Sequence, residues 1–165
     1  MFKYSIKILL LLVISNSAMA ITPTFNVVRE INFGDVLPTP GSCRMYASTG
    51  IITSYIGQYI CILQDNAQNG HYTIIANPNK IIRIKVLPNH NTGTGVIFNP
   101  YIEIRSTGFT KEVIYNNVGF KQIDSGADGI VDLYIGGDLT TSTTFSYGQV
   151  INFNFVDAIE WYEDP

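Results

Sequence analysis

The chain has 165 residues, of which 46% are hydrophobic and only 14% charged, against roughly 25% charged in an ordinary soluble domain. Ten Lys and Arg against thirteen Asp and Glu give a formal net charge of −3 at pH 7. An acidic chain lacks the basic face that displaces counterions from nucleic acid, so we expect no nucleic-acid partner.

Residues 1–20 have the pattern of a secretory signal peptide. Two lysines precede the apolar run ILLLLVI (8–14), and residues 18–20 (Ala-Met-Ala) place small side chains at a cleavage site. The apolar run is too short for a membrane helix, which needs about 20 residues. We expect cleavage after Ala20 and no membrane span in the mature chain, residues 21–165. Eight Lys and Arg against thirteen Asp and Glu then leave it a net charge of −5.

Apolar residues alternate with period two along residues 21–165, and no sustained helical periodicity is present. Segments rich in Gly, Pro and Asn separate the alternating runs, and Pro100 within one run is typical of a strand start or a sheet edge. The pattern predicts one all-β domain, an antiparallel sandwich or barrel. The predicted strands are FNVVREINF (25–33), YICIL (59–63), HYTIIA (71–76), IIRIKV (81–86), FNPYIEI (98–104), IVDLYI (130–135) and QVINFNFV (149–156).

Two cysteines, Cys43 and Cys61, are separated by seventeen residues. In an oxidising compartment an even pair is best explained by a disulfide, and closing such a loop stabilises a fold by about 3 kcal/mol in the chain-entropy model. Two free buried thiols are the alternative. A metal pair is disfavoured because no further ligands lie nearby at suitable spacing.

Gly136 and Gly137 interrupt the apolar run of VDLYIGGDL (131–139). A phosphate-binding loop needs its glycines followed by a helix N-terminus, whereas DLTTSTT here is prone to form strands. The glycine pair therefore predicts a structural bend, as a bulge or a sharp turn within or between strands. A loop that contacts a ligand is the alternative.

The segment DSGADGIVD places Asp124, Asp128 and Asp132 around two glycines. This spacing resembles a calcium loop, but a helical calcium loop has oxygen ligands at positions 3 and 12, where this chain has Gly126 and Ile135. The three carboxylates are thus a weak calcium candidate. The alternative is a polar hairpin in which Asp-Gly provides a turn.

The remaining candidates for chemistry are few. His71 opens a predicted strand, and His90 lies in a predicted loop with no nucleophile pattern around either. We therefore expect surface histidines, no catalytic residues, no cofactor and no enzymatic activity. Trp161 and Tyr162 could stack together on a sugar ring, or they could anchor the last strand to the core.

Four stretches in order resemble domain-of-unknown-function family 4402, a family of secreted bacterial proteins. The stretches are EINFGDVLP (30–38), GQYICILQDNAQNGHYTIIANPNKIIRIKVLP (57–88), YIGGDLTT (134–141) and FSYGQVINFNFV (145–156). The positions that carry the resemblance are Phe33-Gly34, Gly70-x-Tyr72-Thr73, Pro78, Gly136-Gly137-x-Leu139 and Tyr147-Gly148. The family is similar in outline to chaperone–usher pilins and to spore-coat-type β domains. The resemblance implies an immunoglobulin-like (pilin-like) antiparallel β-sandwich of about 7–9 strands, with no assigned chemistry.

The aromatic, uncharged strand QVINFNFV is a liability at an open sheet edge, so it must be internal or capped by a partner strand. We expect a structural or assembly protein in the periplasm, at the cell surface or outside the cell. Its expected partners are other secreted or surface subunits or a periplasmic chaperone. No spare donor segment precedes Phe33-Gly34, so the sandwich is either self-complete or accepts a strand. The second hypothesis is a self-contained module that binds a carbohydrate or small ligand.

Overall fold

A computed structural model describes residues 21–87, 89–91, 95–115, 119–144, 146 and 158–165. These residues form thirteen β-strands and no helix, and every strand pairing is antiparallel. The predicted all-β antiparallel architecture is confirmed. The described part of the chain contains no helix long and apolar enough to cross a membrane. The predicted signal peptide and the predicted strand QVINFNFV lie outside the described residues.

The number of strands exceeds the expected 7–9 because several short pairings supplement the long alternating runs. In chain order the strands are β1 (Thr24–Arg29), β2 (Asp35–Val36), β3 (Gly41–Met45), β4 (Ile52–Ser54), β5 (Cys61–Leu63), β6 (Gly70–Ile75), β7 (Ile81–Val86), β8 (Asn89–Asn91), β9 (Val96–Ser106), β10 (Phe109–Tyr115), β11 (Lys121–Asp124), β12 (Ile130–Thr141) and β13 (Ile159–Glu163).

Strand β12 organises an eight-stranded sheet, which we call the large sheet. Along one edge it pairs continuously with β9, from Val131 to Thr141. Along its other edge it pairs first with β6, through Ile135, and then with β3, from Gly137 onward. The large sheet therefore has two halves that share the β9–β12 ribbon. One half has the order β1-β6-β12-β9-β10 and the other β4-β3-β12-β9-β8.

The glycine pair lies where β12 changes neighbour. A Cβ on Gly136 would lie 2.3 Å from the carbonyl oxygen of Met45, and one on Gly137 would lie 2.3 Å from that of Asn99. Gly137 also has a φ of 150°, which L-residues rarely adopt. Only glycine fits both positions, because three backbones converge there. The glycines thus occupy the junction between the two halves, without a register shift against β9.

A second sheet, the small sheet, has the order β11-β7-β13 and packs over one face of the large sheet. The alternation in β7 explains this arrangement, since Ile82, Ile84 and Val86 are buried while Arg83 and Lys85 face outward. The buried side chains of both sheets form one hydrophobic core. Its largest fully buried members are Tyr72, Phe98, Met45, Ile60, Ile74, Ile82, Ile84, Ile102, Ile104 and Leu133.

Strands β2 and β5 form a two-stranded third sheet beside the large sheet. Cys43 of β3 and Cys61 of β5 are joined by a disulfide with Cα atoms 6.1 Å apart, and both are fully buried. The bridge links the large sheet covalently to the third sheet, and it lies next to the second half of β12, where Cys43 pairs with Leu139.

One expected strand boundary was wrong. The first strand ends at Arg29 rather than Phe33, and its register shifts between Val27 and Arg29. Val27 is exposed although it lies opposite the buried Tyr72, whereas Phe33 is buried as the alternation required. Pro100 lies inside β9, at a point on the edge away from β12 where no described residue pairs with it: the described pairing with β8 reaches Phe98, and that with β10 starts at Tyr101. The position agrees with the sheet edge expected for this proline.

The segment between β11 and β12 was expected to be a hairpin if it held no calcium. It is instead a crossover, since β11 belongs to the small sheet and β12 to the large sheet. Gly126 and Gly129 adopt φ values of 73° and 71° in this turn. His90, expected in a loop, lies in β8 opposite Ile97.

Candidate functional site

The face of the large sheet that points away from the core carries two clusters of polar side chains that contact one another. We call it the outer face. Its members alternate along the strands with buried residues such as Tyr72, Leu133 and Ile104, so the pleat directs them to the opposite side. The outer face comprises His71 and Thr73 of β6, Asp132, Tyr134 and Asp138 of β12, Tyr101, Glu103 and Arg105 of β9, and Arg44 of β3.

Three planar groups stack across neighbouring strands in the first half of the outer face. The ring of His71 lies 4.6 Å from that of Tyr134 with an interplanar angle of 13°. The guanidinium of Arg105 lies over the same tyrosine ring, 4.5 Å from its centroid. The strand register accounts for the stack, because His71 and Tyr134 are directly opposite each other on β6 and β12.

Carboxylates flank this stack on both sides. Asp132 Oδ1 lies 2.9 Å from His71 Nε2 and also accepts a hydrogen bond from the Thr73 hydroxyl at 2.9 Å. At the other end, Arg105 Nη2 lies 2.5 Å from Glu103, which is only 4% exposed. The charged groups of this half are thus paired with one another, as burial requires.

The contacts of His71 do not form a nucleophile–base pair. In that arrangement a hydroxyl donates to the histidine while a carboxylate orients the ring from the other nitrogen. Here the Thr73 hydroxyl donates to Asp132, which also contacts His71. The group is suited to holding a rigid polar surface and not to activating the threonine.

A second cluster lies in the other half of the outer face, just beyond the glycine pair. Arg44 Nε and Nη2 make two contacts with the carboxylate of Asp138, at 2.5 and 2.8 Å. The Tyr101 hydroxyl donates to the same carboxylate at 2.5 Å, and the Arg44 guanidinium lies between the rings of Tyr55 and Tyr101. Asp138 is 2% exposed, so this carboxylate depends on these partners.

The electrostatics of the cluster follow from burial and pairing. The hydrogen bond with Asp138 raises the pKa of Arg44 well above its usual value, so this guanidinium stays charged. Burial, assisted by the hydrogen bond to Asp138, raises the pKa of Tyr101 to about 12. The cluster therefore keeps a charged guanidinium and a neutral phenol across the physiological pH range.

The three carboxylates of the calcium candidate do not converge. Asp124 accepts from the backbone N–H of Gly126, and Asp128 accepts from Ile130 N and from the Thr107 hydroxyl. Asp132 points to the outer face, where it contacts His71. Within the described ranges, no three His, Cys, Asp or Glu side chains are grouped so as to hold a metal ion.

Trp161 and Tyr162 lie on opposite faces of β13 and do not form a joint platform. The indole of Trp161 is stacked 6.4 Å from the ring of Phe25 and packs against the core. Tyr162 faces outward and contacts Phe120 at 5.2 Å, and these two rings are 45% and 40% exposed. The exposed aromatic pair of the small sheet is therefore Phe120 and Tyr162.

Strand β1 forms one edge of the large sheet. Among the described strands it pairs only with β6, so its second edge has no described partner. Val27 and Val28 are 46% and 57% exposed on this strand. An edge strand with exposed valines and a single terminal charge is a site at which another strand can add.

Sequence reasoning did not identify the clusters of the outer face. Alternation could have assigned Arg44, Tyr134 and Arg105 to the polar side of their strands. Their partners could not be assigned, because Arg44 and Asp138 are 94 residues apart. The sequence analysis singled out His71 and Asp132 separately, and the glycine pair that immediately precedes Asp138, but it joined none of them to a cluster.

Comparison of the chain with protein-family models, with curated proteins and with solved structures gave no match.

Proposed function

We propose that this chain is an exported, non-enzymatic β-sandwich domain that acts by contact with other proteins, and that β1 is the contact strand. The observation that carries the proposal is the edge of β1 that pairs with no described strand, together with its two exposed valines. An incoming strand would pair with the backbone of β1 as far as Val27, because the register shifts between Val27 and Arg29. It would cover Val27 and end beside Val28.

Export is supported by the signal-peptide pattern of residues 1–20 and by the buried Cys43–Cys61 disulfide, since disulfides persist in oxidising compartments. The partners we propose are other secreted or surface subunits or a periplasmic chaperone. A pilin-like subunit, as the resemblance to family 4402 implies, is the finer form of this proposal.

A non-enzymatic role is supported by how the outer face uses its ionisable groups. His71 is in contact with Asp132, Arg105 with Glu103, and Arg44 with Asp138. Ionisable groups that are paired with one another in this way form a rigid surface for recognition.

The proposal is tested by photo-crosslinking in the organism that produces the chain. A photoreactive residue in place of Val28 should form adducts with one or a few exported proteins, identified by mass spectrometry. The same residue in place of Ile62, which is similarly exposed on β5, serves as the control. Adducts that are absent at Val28, or identical at both positions, would argue against β1 as the contact strand.

The second candidate function is carbohydrate binding, and the exposed pair of Phe120 and Tyr162 favours it. The neighbouring Arg83 and Lys85 of the small sheet are held by Asp164 and Glu160 and could hydrogen-bond sugar hydroxyls beside the rings. Titration of oligosaccharides should then quench tyrosine fluorescence, and Tyr162→Ala should abolish the effect. Tyr46→Ala is the matched control, because Tyr46 is equally exposed on another surface.

A further inference from the structure

The first described residue, Ile21, is attached to the body of the sandwich by one side chain. Its backbone N–H donates to Asn77 Oδ1 at 2.8 Å, and Asn77 Nδ2 donates back to the Ile21 carbonyl at 3.1 Å. Asn77 follows β6 on the way to β7, so its amide connects Ile21, three residues before β1, to the segment between the two sheets.

The same asparagine also binds a carboxylate. Its backbone N–H and its Nδ2 both donate to Glu163 of β13, each at 2.8 Å. Every polar atom of the Asn77 amide is then used: the oxygen accepts from Ile21 while the nitrogen donates to the Ile21 carbonyl and to Glu163. This bonding pattern determines which way the amide points.

Ser125 fixes the backbone position of Asn77. The Ser125 hydroxyl donates to the Asn77 carbonyl at 2.7 Å and accepts from Lys80 N at 3.0 Å, and its side chain is fully buried. The other charges near the end of β13, Arg83 and Asp164, are bound to each other. Glu163 is therefore the carboxylate directed at the Asn77 amide.

We propose that Asn77 and Glu163 form a receptor for the α-ammonium group that cleavage between residues 20 and 21 produces. Before cleavage the nitrogen of Ile21 is a neutral amide with one hydrogen, which it donates to Asn77. Hydrolysis of that peptide bond leaves an ammonium group with three hydrogens and a positive charge. A hydrogen bond from an ion to the same oxygen is stronger than one from a neutral amide. The carboxylate on Nδ2 polarises the amide further in the same direction.

The consequence is that the fold responds to its own processing. The cleaved chain holds Ile21, and with it the beginning of β1, more firmly than the precursor does. The processed form is the more stable one, and the proposed contact strand is fully anchored only after cleavage. The inference rests on the proposed export of the chain, because a signal peptide must be removed for the ammonium group to exist.

The test compares three purified chains: residues 21–165 with a free α-amine, the same chain Nα-acetylated, and a chain that begins at Met19. Thermal melting at pH 6.5 should give a Tm for the free amine roughly 3 °C or more above both others. Equal Tm values for the free and acetylated chains would overturn the proposal that Asn77 and Glu163 bind the α-ammonium group.

Two variants separate the receptor from a general effect of charge. Glu163→Gln should reduce the difference between the free and acetylated chains, because the amide of Asn77 is then no longer polarised by a carboxylate. Glu160→Gln, on the opposite face of β13 where it pairs with Lys85, should leave that difference intact. An undiminished difference in Glu163→Gln would overturn the role assigned to this carboxylate.

The intact mass of the exported protein tests processing separately. A chain beginning at Ile21 is expected. Another first residue would overturn the physiological role, and an unprocessed intracellular chain would contradict the proposed export, whatever the melting temperatures show.

Discussion

Gly137 of β12 lies directly opposite Pro100 of β9, at the point where the long ribbon passes from one half of the large sheet to the other. Proline has no N–H to offer on the outer edge of β9, and glycine has no Cβ to obstruct the converging backbones. The two residues most often excluded from strand interiors are thus paired where the sheet divides.

The glycine pair should be intolerant of even one added carbon. Gly136→Ala places its methyl group 2.3 Å from Met45 O and 2.5 Å from Ala47 N, so the backbone of β3 or β12 must shift. We expect a loss of about 3 kcal/mol or more in the free energy of unfolding, measured by urea denaturation.

Gly108→Ala is the matched control, because no atom lies within 4 Å of the added carbon there. It should lose only about 1 kcal/mol, from its positive φ. Equal losses in the two variants would show that β12 and β3 can separate without cost.

Asp138→Asn should destabilise the second half of the large sheet. The substitution removes the negative charge that pairs with the Arg44 guanidinium. Residue 138 is only 2% exposed, so water cannot replace that charge there. Removing one partner of a fully buried pair costs about 3 kcal/mol or more, and because the Arg44 side chain is 29% exposed we expect a smaller loss of about 2 kcal/mol. Asp128→Asn, in an exposed turn, should change stability little, and a similar loss there would contradict the assignment.

Tyr101 should ionise late on alkaline titration. Its pKa is raised to about 12 from an ordinary value of about 10, so the neutral phenol is favoured in the fold. The stability that this contributes is complete below pH 10 and is lost as the pH rises through 12.

Ultraviolet absorbance of tyrosinate, followed in the chain and in Tyr101→Phe, measures this shift. The variant should lack one of the late-titrating phenols and should lose less stability between pH 10 and 12. Tyr72, whose pKa burial also raises, should keep titrating late in both chains. An unchanged titration in the variant would contradict the predicted shift.

The disulfide should contribute substantially to stability. Removing it by Cys43→Ala with Cys61→Ala frees a loop of seventeen residues, and we expect a loss of about 3 kcal/mol in chemical denaturation. Alkylation of the unreduced, unfolded chain should leave its mass unchanged, whereas alkylation after reduction should modify both thiols. Modification without reduction would show that the bridge does not form.

The sequence alone determined the all-β class and the inward and outward faces of IIRIKV, and it marked Gly136 and Gly137 as unusual positions, although their pairing with β9 is unbroken and contains no bulge. These properties are local: period-two alternation is visible in six consecutive residues of IIRIKV, and glycine conformation is a property of single positions. The first strand was predicted too long because the apolar alternation continues to Phe33, beyond Arg29, the last residue that pairs with β6.

Only the tertiary structure decided which outward-facing residues meet. Arg44 contacts Asp138, His71 stacks on Tyr134, and Asn77 joins Ile21 to Glu163. Each contact joins residues that are far apart along the chain. A strand presents the same alternating faces to any neighbour, so composition and period cannot select among partners. Which strands become neighbours depends on how the whole core packs. The polar clusters and the attachment of Ile21 are therefore visible only in the folded chain.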